Sequence, residues 1–170
     1  RQHTVSGWQA IGQAFTITNA ENNLLFGLDN QPVLDIYRKF LGNHIVSGLP
    51  NSVMEFPLML RQSDKTILRS PIGITADGKG LILAGDVKPG DSVTFSFADP
   101  QSLMLAVKSL SQLQQTAVFL YSCAARKTYL SNQIAVETAK LGANNQAVGG
   151  FFYGEYASSD QQFDLLNLST

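Results

Sequence analysis

Between Ser92 and Leu113 the spacing of apolar residues changes from two to a helical repeat, and this change constrains the fold most. Val93, Phe95 and Phe97 alternate with Ser92, Thr94 and Ser96, the pattern of a strand with one wet face. Asp99 then offers an N-cap carboxylate, and Pro100 takes a first helical position, where its missing N–H costs little. Leu103, Ala106, Val107, Leu110 and Leu113 follow as the apolar stripe of a helix. With no internal repeat, low-complexity tract or Pro/Ser-rich linker in 170 residues, strand and helix are expected in one compact unit. The chain is therefore placed in the α+β class.

The other elements follow from the same rules. Phe15–Thr18 and Leu24–Gly27 read as a hairpin around a turn rich in Asn, which tolerates left-handed backbone. Pro32 sits in the first turn of a helix with Val33, Ile36, Tyr37, Phe40 and Leu41 on one face, and Gly42 ends it. Short strands are expected around Val53–Arg61, Thr66–Ser70 and Gly80–Ala84, the first an edge or bulged strand because of Pro57. Ala117–Tyr121 is a continuous apolar run and reads as a central strand buried on both faces. A helix over about Ser131–Leu141 and strands around Ala147–Tyr153 and Phe163–Leu168 complete the chain. The expectation is a mixed, mostly antiparallel sheet with about three helices, with parallel crossovers around residues 117–121. Residues 1–14 read as a connector, with Trp8 as an anchor onto the domain.

Charge excludes some functions. Twelve Lys and Arg against thirteen Asp and Glu leave no basic excess to release counterions from a phosphate backbone, so nucleic acid is not an expected partner. Charged residues are only 15% of the chain, low enough to suggest that another domain, subunit or ligand covers part of the surface. No apolar run reaches the roughly 18 residues of a membrane span, and RQHTVSGW lacks the apolar core of a signal peptide. Cys123 stands alone, so no internal disulfide forms and a reducing, cytoplasmic setting is expected. The Asn167-Leu168-Ser169 sequon then has no glycosylation to direct. His3 and His44 are too few and too far apart for a local metal motif.

The standard catalytic motifs are missing, and three segments carry the remaining chemistry. Tyr121-Ser122-Cys123-Ala124-Ala125-Arg126 brings Ser122 and Cys123 to the C-terminal end of a strand, where ligand crevices form. Arg126 there is either a bidentate carboxylate holder or a surface charge, and Cys123 either a reactive thiol or a small buried hydrophobe. Gly149-Gly150-Phe151-Phe152-Tyr153-Gly154-Glu155 offers close backbone approach, an aromatic wall from Phe151 and Tyr153, and the Glu155 carboxylate. The alternative is an aromatic strand whose glycines permit a bulge. In the third segment Arg69 and Asp86 either pair across neighbouring strand ends, the simpler reading, or face a ligand.

Taken in order, these segments resemble the C-terminal half of the FIST domain, a bacterial intracellular sensory domain. The resemblance runs over about residues 15–168. It is carried by Phe15-Thr16-Ile17-Thr18, Leu28-Asp29-Asn30-Gln31-Pro32-Val33-Leu34-Asp35-Ile36-Tyr37 and Arg69-Ser70-Pro71-Ile72-Gly73. Ala84-Gly85-Asp86-Val87, Ser122-Cys123-Ala124-Ala125-Arg126 and Tyr153-Gly154-Glu155 extend it. Gly150 departs from the family, which more often has an aromatic there. The resemblance implies a small-ligand sensor, with amino acids among the ligands proposed for the family, attached to an output such as a diguanylate cyclase or histidine kinase. Residues 1–14 then read as the connector from a missing N-terminal FIST half, residues 15–170 as the sensory domain, and the chain, beginning at Arg1, as a fragment.

The expected ligand set is Arg69, Asp86, Ser122, Cys123, Arg126, Phe151, Tyr153 and Glu155. Arg126 and Glu155 on opposite sides of one pocket would suit a zwitterion. No cofactor is required, and two rivals stand beside this reading. A haem-containing nitric-oxide sensor would use His44 or His3 as axial ligand. A hydrolase or transferase would use Cys123, its thiol activated by Arg126 and Lys127 and by a base such as His44.

Overall fold

The computed structural model describes residues 3–49, 52, 55–62, 65–111, 117–142, 146–159 and 162–170, with the backbone alone at 62, 111, 158–159 and 162–164. The protein is α+β, with mostly antiparallel strand pairing. Its contacts divide it into two compact units, Ala10–Phe97 and the combination of Arg1–Gln9 with Ala98–Thr170. The expectation of a single unit is thus corrected. The wet-faced strand ends one unit and the Asp99-Pro100 helix opens the next, so a change of hydrophobic period here marks a boundary as well as a change of element. No Gly- or Ser-rich linker announces it, because the Asp99 side chain caps the helix at once, accepting from the Ser102 amide at 2.9 Å.

The first unit holds β1 (Gln9–Glu21), β2 (Leu24–Leu28), β3 (Gln31–Pro32), α1 (Val33–Leu41), α2 (Asn43–Ser47), β4 (Leu58–Gln62), β5 (Lys65–Arg69), β6 (Pro71–Ile74), β7 (Leu81–Leu83) and β8 (Ser92–Phe97). Its strands form one sheet in the order β5-β4-β8-β1-β2-β7-β6, with β3 on β2. The expected hairpin is present as β1 and β2, with Ile17 opposite Leu28 and Asn22 at φ 53 in the turn. Pro57 does not make β4 an edge strand. It lies one residue before β4, which pairs with β5 on one side and β8 on the other. The Pro57 carbonyl accepts from both the Ser96 amide, on β8, and the Ser96 hydroxyl.

α1 ends as expected at Gly42, whose φ of 87 favours glycine and whose N–H closes on the Arg38 carbonyl at 2.9 Å. The helix lays Val33, Leu34, Ile36 and Tyr37 into a core shared with Phe15, Ile17, Leu25, Leu28, Leu58, Leu60, Val93 and Phe95. The Tyr37 ring meets Phe95 edge-on at 4.8 Å. Its hydroxyl has no hydrogen-bond partner, and burial pushes its ionisation far above the usual range.

The second unit contains α3 (Pro100–Ser111), β9 (Ala117–Cys123), α4 (Ala124–Leu130), a 3-10 turn (Ser131–Gln133), α5 (Ile134–Gly142), β10 (Gln146–Phe152), β11 (Glu155–Ser159) and β12 (Gln162–Leu166). The three helices read from the sequence are α1, α3 and α5, and two shorter ones, α2 and α4, join them. β9 and β10 run parallel from Ala117↔Gln146 to Cys123↔Phe152, joined through α4 and α5. This is the parallel crossover expected near residues 117–121. Gly149 makes the pairing possible, since a Cβ there would stand 2.0 Å from the Leu120 carbonyl oxygen.

β9 itself corrects the sequence reading. Its residues alternate in exposure, with Phe119 70% and Tyr121 60% exposed, so it is not buried on both faces. A continuous apolar run hides which side is covered. Helices α4 and α5 pack against this strand pair, and alternate residues of β9 are left outward. β11 and β12 form a separate antiparallel hairpin.

Candidate functional site

The second unit is closed by its own termini. Val5 and Thr170 exchange both main-chain hydrogen bonds at 3.0 Å, and the Cys123 amide donates to the Ser169 carbonyl at 3.0 Å. The Ser122 and Thr170 hydroxyls are 2.7 Å apart and buried. Trp8 is buried against Tyr129, ring centroids 5.6 Å apart. Residues 3–8 therefore pack as part of this unit, with Trp8 buried in it. Gly7, at φ 90, lets the segment lie against Leu103 and Ala106, which a Cβ would meet at 3.0–3.2 Å.

Arg126 lies at the centre of this closure and is 0% exposed. Its Nε donates to both Glu137 carboxylate oxygens at 2.9 and 3.1 Å, and Nη2 donates to Oε2 at 2.8 Å. Further bonds go to the carbonyls of Ser6, Leu103 and Leu168. One guanidinium thus joins the N-terminal segment, α3, α4, α5 and the C-terminal segment. The opposite charges expected from Arg126 and Glu155 across a pocket are not what the fold provides, because Arg126 is committed to Glu137. Glu137 was missed by sequence reasoning. Its one signal is position, a carboxylate four residues before buried Leu141 on the same face of α5.

Beside this cluster lies a cavity of about 730 Å³. Phe119, Tyr121, Phe152, Leu110 and Leu166 supply much of its apolar wall, and His3, Thr4, Glu155, Ser169 and Thr170 its polar groups. No Lys or Arg is among the described lining residues. Glu155, the first residue of β11, is 7% exposed. Oε1 has no hydrogen-bond partner, while Oε2 accepts from the Ser169 hydroxyl at 3.4 Å. Burial pushes the carboxyl from 4.5 up to about 7, a rise that hydrogen bonding from Cys123 and Ser169 only partly offsets. A protonatable acid with an unpartnered oxygen therefore lies in the wall of a cavity of ligand size.

Of the eight expected residues, Glu155 lines the cavity. Ser122 and Cys123 are buried at the end of β9, where Ser122 holds Thr170 and Cys123 neighbours Glu155. Phe151 is half-buried, with the Lys127 ammonium 5.0 Å from its ring centre, and Tyr153 is fully exposed. Arg69 and Asp86 belong to the other unit. Arg69 is buried and donates from Nε to the main-chain carbonyl of Asp86 at 3.0 Å, so the two residues do meet, while the Asp86 side chain is exposed. Ser169 and Thr170 had no motif to reveal them; only the return of the chain end to β9 brings them here.

The chemistry for the rival readings is weaker. Burial raises the Cys123 thiol, and the Glu155 charge raises it further, the reverse of the activation expected from Arg126 and Lys127. His44 is exposed on α2, and His3 is exposed at the cavity. Neither has the buried, hydrogen-bond-oriented imidazole that an axial haem ligand needs, so these residues do not fit that group. Among the described residues no group of three or more His, Cys, Asp or Glu could hold a metal ion, and no helix is long and apolar enough to cross a membrane.

Fold and site together define an α+β domain with a ligand-sized cavity and a buried acid, Glu155, at its wall. The family model described as the FIST C domain matches residues 34–158, so the chain belongs to the FIST C domain family, a sensory family. The match crosses both units, from α1 through β11. No curated protein and no solved structure matches the chain.

Proposed function

We propose that this chain is a small-ligand-binding sensory domain whose cavity in the second unit holds the ligand. The observation that supports this most is the Glu155 carboxyl, buried at the cavity wall with Oε1 lacking a partner. Such a group is destabilising in the empty protein and is satisfied by a ligand donor, as the amino group of an amino acid would be. Binding then favours one arrangement of the protein and biases an attached or partner output, such as a diguanylate cyclase or histidine kinase. The ligand must discriminate between the two states, or it shifts nothing. The N-terminal FIST half is the proposed intramolecular partner, in keeping with the match to a C domain.

The test is a thermal-shift and calorimetric screen of small metabolites, including the amino acids, against the chain and Ala157→Phe, which obstructs the cavity. Ligand at a hundred times its Kd should stabilise the native chain by about 2.7 kcal/mol. The obstructed variant should keep its circular dichroism and lose that response. Equal responses from both proteins would place the ligand elsewhere.

A further inference from the structure

We infer that the cavity takes an organic amine, its ammonium group meeting Glu155 and its hydrocarbon body lying against the aromatic wall. The inference rests on the cavity reading above and narrows the ligand to one charge type. Three observations carry it. Glu155 lines the cavity with Oε1 buried and unpartnered, and an unpartnered buried carboxyl oxygen calls for a donor. Tyr121 and Phe152, with ring centroids 5.3 Å apart, provide a surface for a hydrocarbon body beside it. Finally, no Lys or Arg is among the described lining residues, so no permanent cation described there meets a ligand carboxylate.

An α-amino acid would satisfy Glu155 with its ammonium but bring its own carboxylate against the same acid. A simple amine meets no such repulsion. Of the cationic groups on α4, Arg126 is paired with Glu137 and Lys127 lies over the Phe151 ring. The remaining titratable neighbours are Cys123 at the end of β9, Tyr121 on β9, Tyr156 on β11 and His3 on the N-terminal segment. On β12, Asp164 pairs in register with Ala157.

This arrangement couples binding to a proton. An ammonium ion pairs with the carboxylate form of Glu155, whereas burial favours the protonated form up to about pH 7. Below that pH, amine binding releases the carboxyl proton to solvent. Affinity therefore rises with pH, roughly tenfold between pH 6 and 8 for a single group titrating near 7.

Calorimetry on the 170-residue chain tests this with 2-phenylethylamine, 2-phenylethanol, 3-phenylpropionate and phenylalanine as probes at pH 6 and pH 8. The amine should bind tightest, show the pH dependence and release a proton at pH 6 when buffers of different ionisation heat are compared. Glu155→Gln should weaken the amine at least about tenfold, the loss of a charge-assisted hydrogen bond, and leave 2-phenylethanol unchanged. Tighter binding of 3-phenylpropionate or phenylalanine than of the amine, or an unchanged amine affinity in Glu155→Gln, would overturn the inference while the cavity reading stood. Binding by none of the four probes would overturn both.

Discussion

Arg126 and Glu137 form a buried ion pair, Nη2 to Oε2 at 2.8 Å, with side chains 0% and 1% exposed. Residues eleven apart in sequence thereby fasten α4 to α5, and the same guanidinium reaches three carbonyls on other segments. Removing one partner strands the other charge in a dry interior. Arg126→Ala and Glu137→Ala should each destabilise by about 3–5 kcal/mol. The paired Arg126→Met/Glu137→Leu variant should recover part of that loss, since neither charge is left alone. Urea denaturation of the four proteins checks this, and losses below about 1 kcal/mol in the single variants would contradict the clamp.

Glu155 sets a pH dependence of stability. Its folded pKa, about 7, lies above the ordinary 4.5. Below 4.5 the carboxyl is protonated in both states and its contribution is fully present. As pH rises towards 7 the unfolded chain gives up the proton that the folded chain keeps, so stability falls through this window and levels off above it. Glu155→Gln should remove that slope. At pH 8 the variant should be more stable than the parent by about 1–3 kcal/mol, with little difference at pH 4. Melting temperatures across the range provide the measurement.

Gly149 is sterically required. A side chain there would collide with the Leu120 carbonyl, part of the parallel pairing that carries Phe152 and Cys123 to the cavity end. Gly149→Ala should destabilise by about 2 kcal/mol or more, as backbone displacement in a packed sheet demands. Gly150→Ala has more room, its nearest neighbour being the Phe152 ring at 3.3 Å, and should be the milder of the pair. Parallel denaturation curves rank them.

Cys123 should react slowly. It is buried and its thiol is raised, so little thiolate is exposed at pH 7.5. A thiol-disulfide reagent should modify the native protein at least about a hundredfold more slowly than the urea-unfolded chain, because attack waits on opening. Comparable rates in the two states would revive a nucleophilic role.

Tyr37→Phe should be tolerated or slightly stabilising, by up to about 1 kcal/mol, because the hydroxyl it removes is buried and makes no hydrogen bond. A loss above about 2 kcal/mol would show that the hydroxyl has a partner the fold supplies.

The sequence by itself determined the local elements and the family. Alternation gave β8, the Pro32 and Asp99-Pro100 starts gave α1 and α3, Gly42 stopped α1, and the Asn-rich turn gave the β1–β2 hairpin. Each of these rests on periodicity or backbone chemistry within a few residues, which a single chain displays openly. Ser122 and Cys123 were legible for a similar reason, since they end an apolar strand, and Glu155 because it follows the aromatic end of another. Tertiary structure alone decided the rest. It separated the chain into two units after Phe97, where no linker composition appears. Outward exposure of Phe119 and Tyr121 was likewise its doing, because an apolar run carries no record of which face its neighbours cover. Above all it gave Arg126 to Glu137 and left Glu155 facing the cavity. The two glutamates are alike in sequence, and their roles differ because a carboxylate's charge state and partners follow from what surrounds it, which only the folded chain assembles.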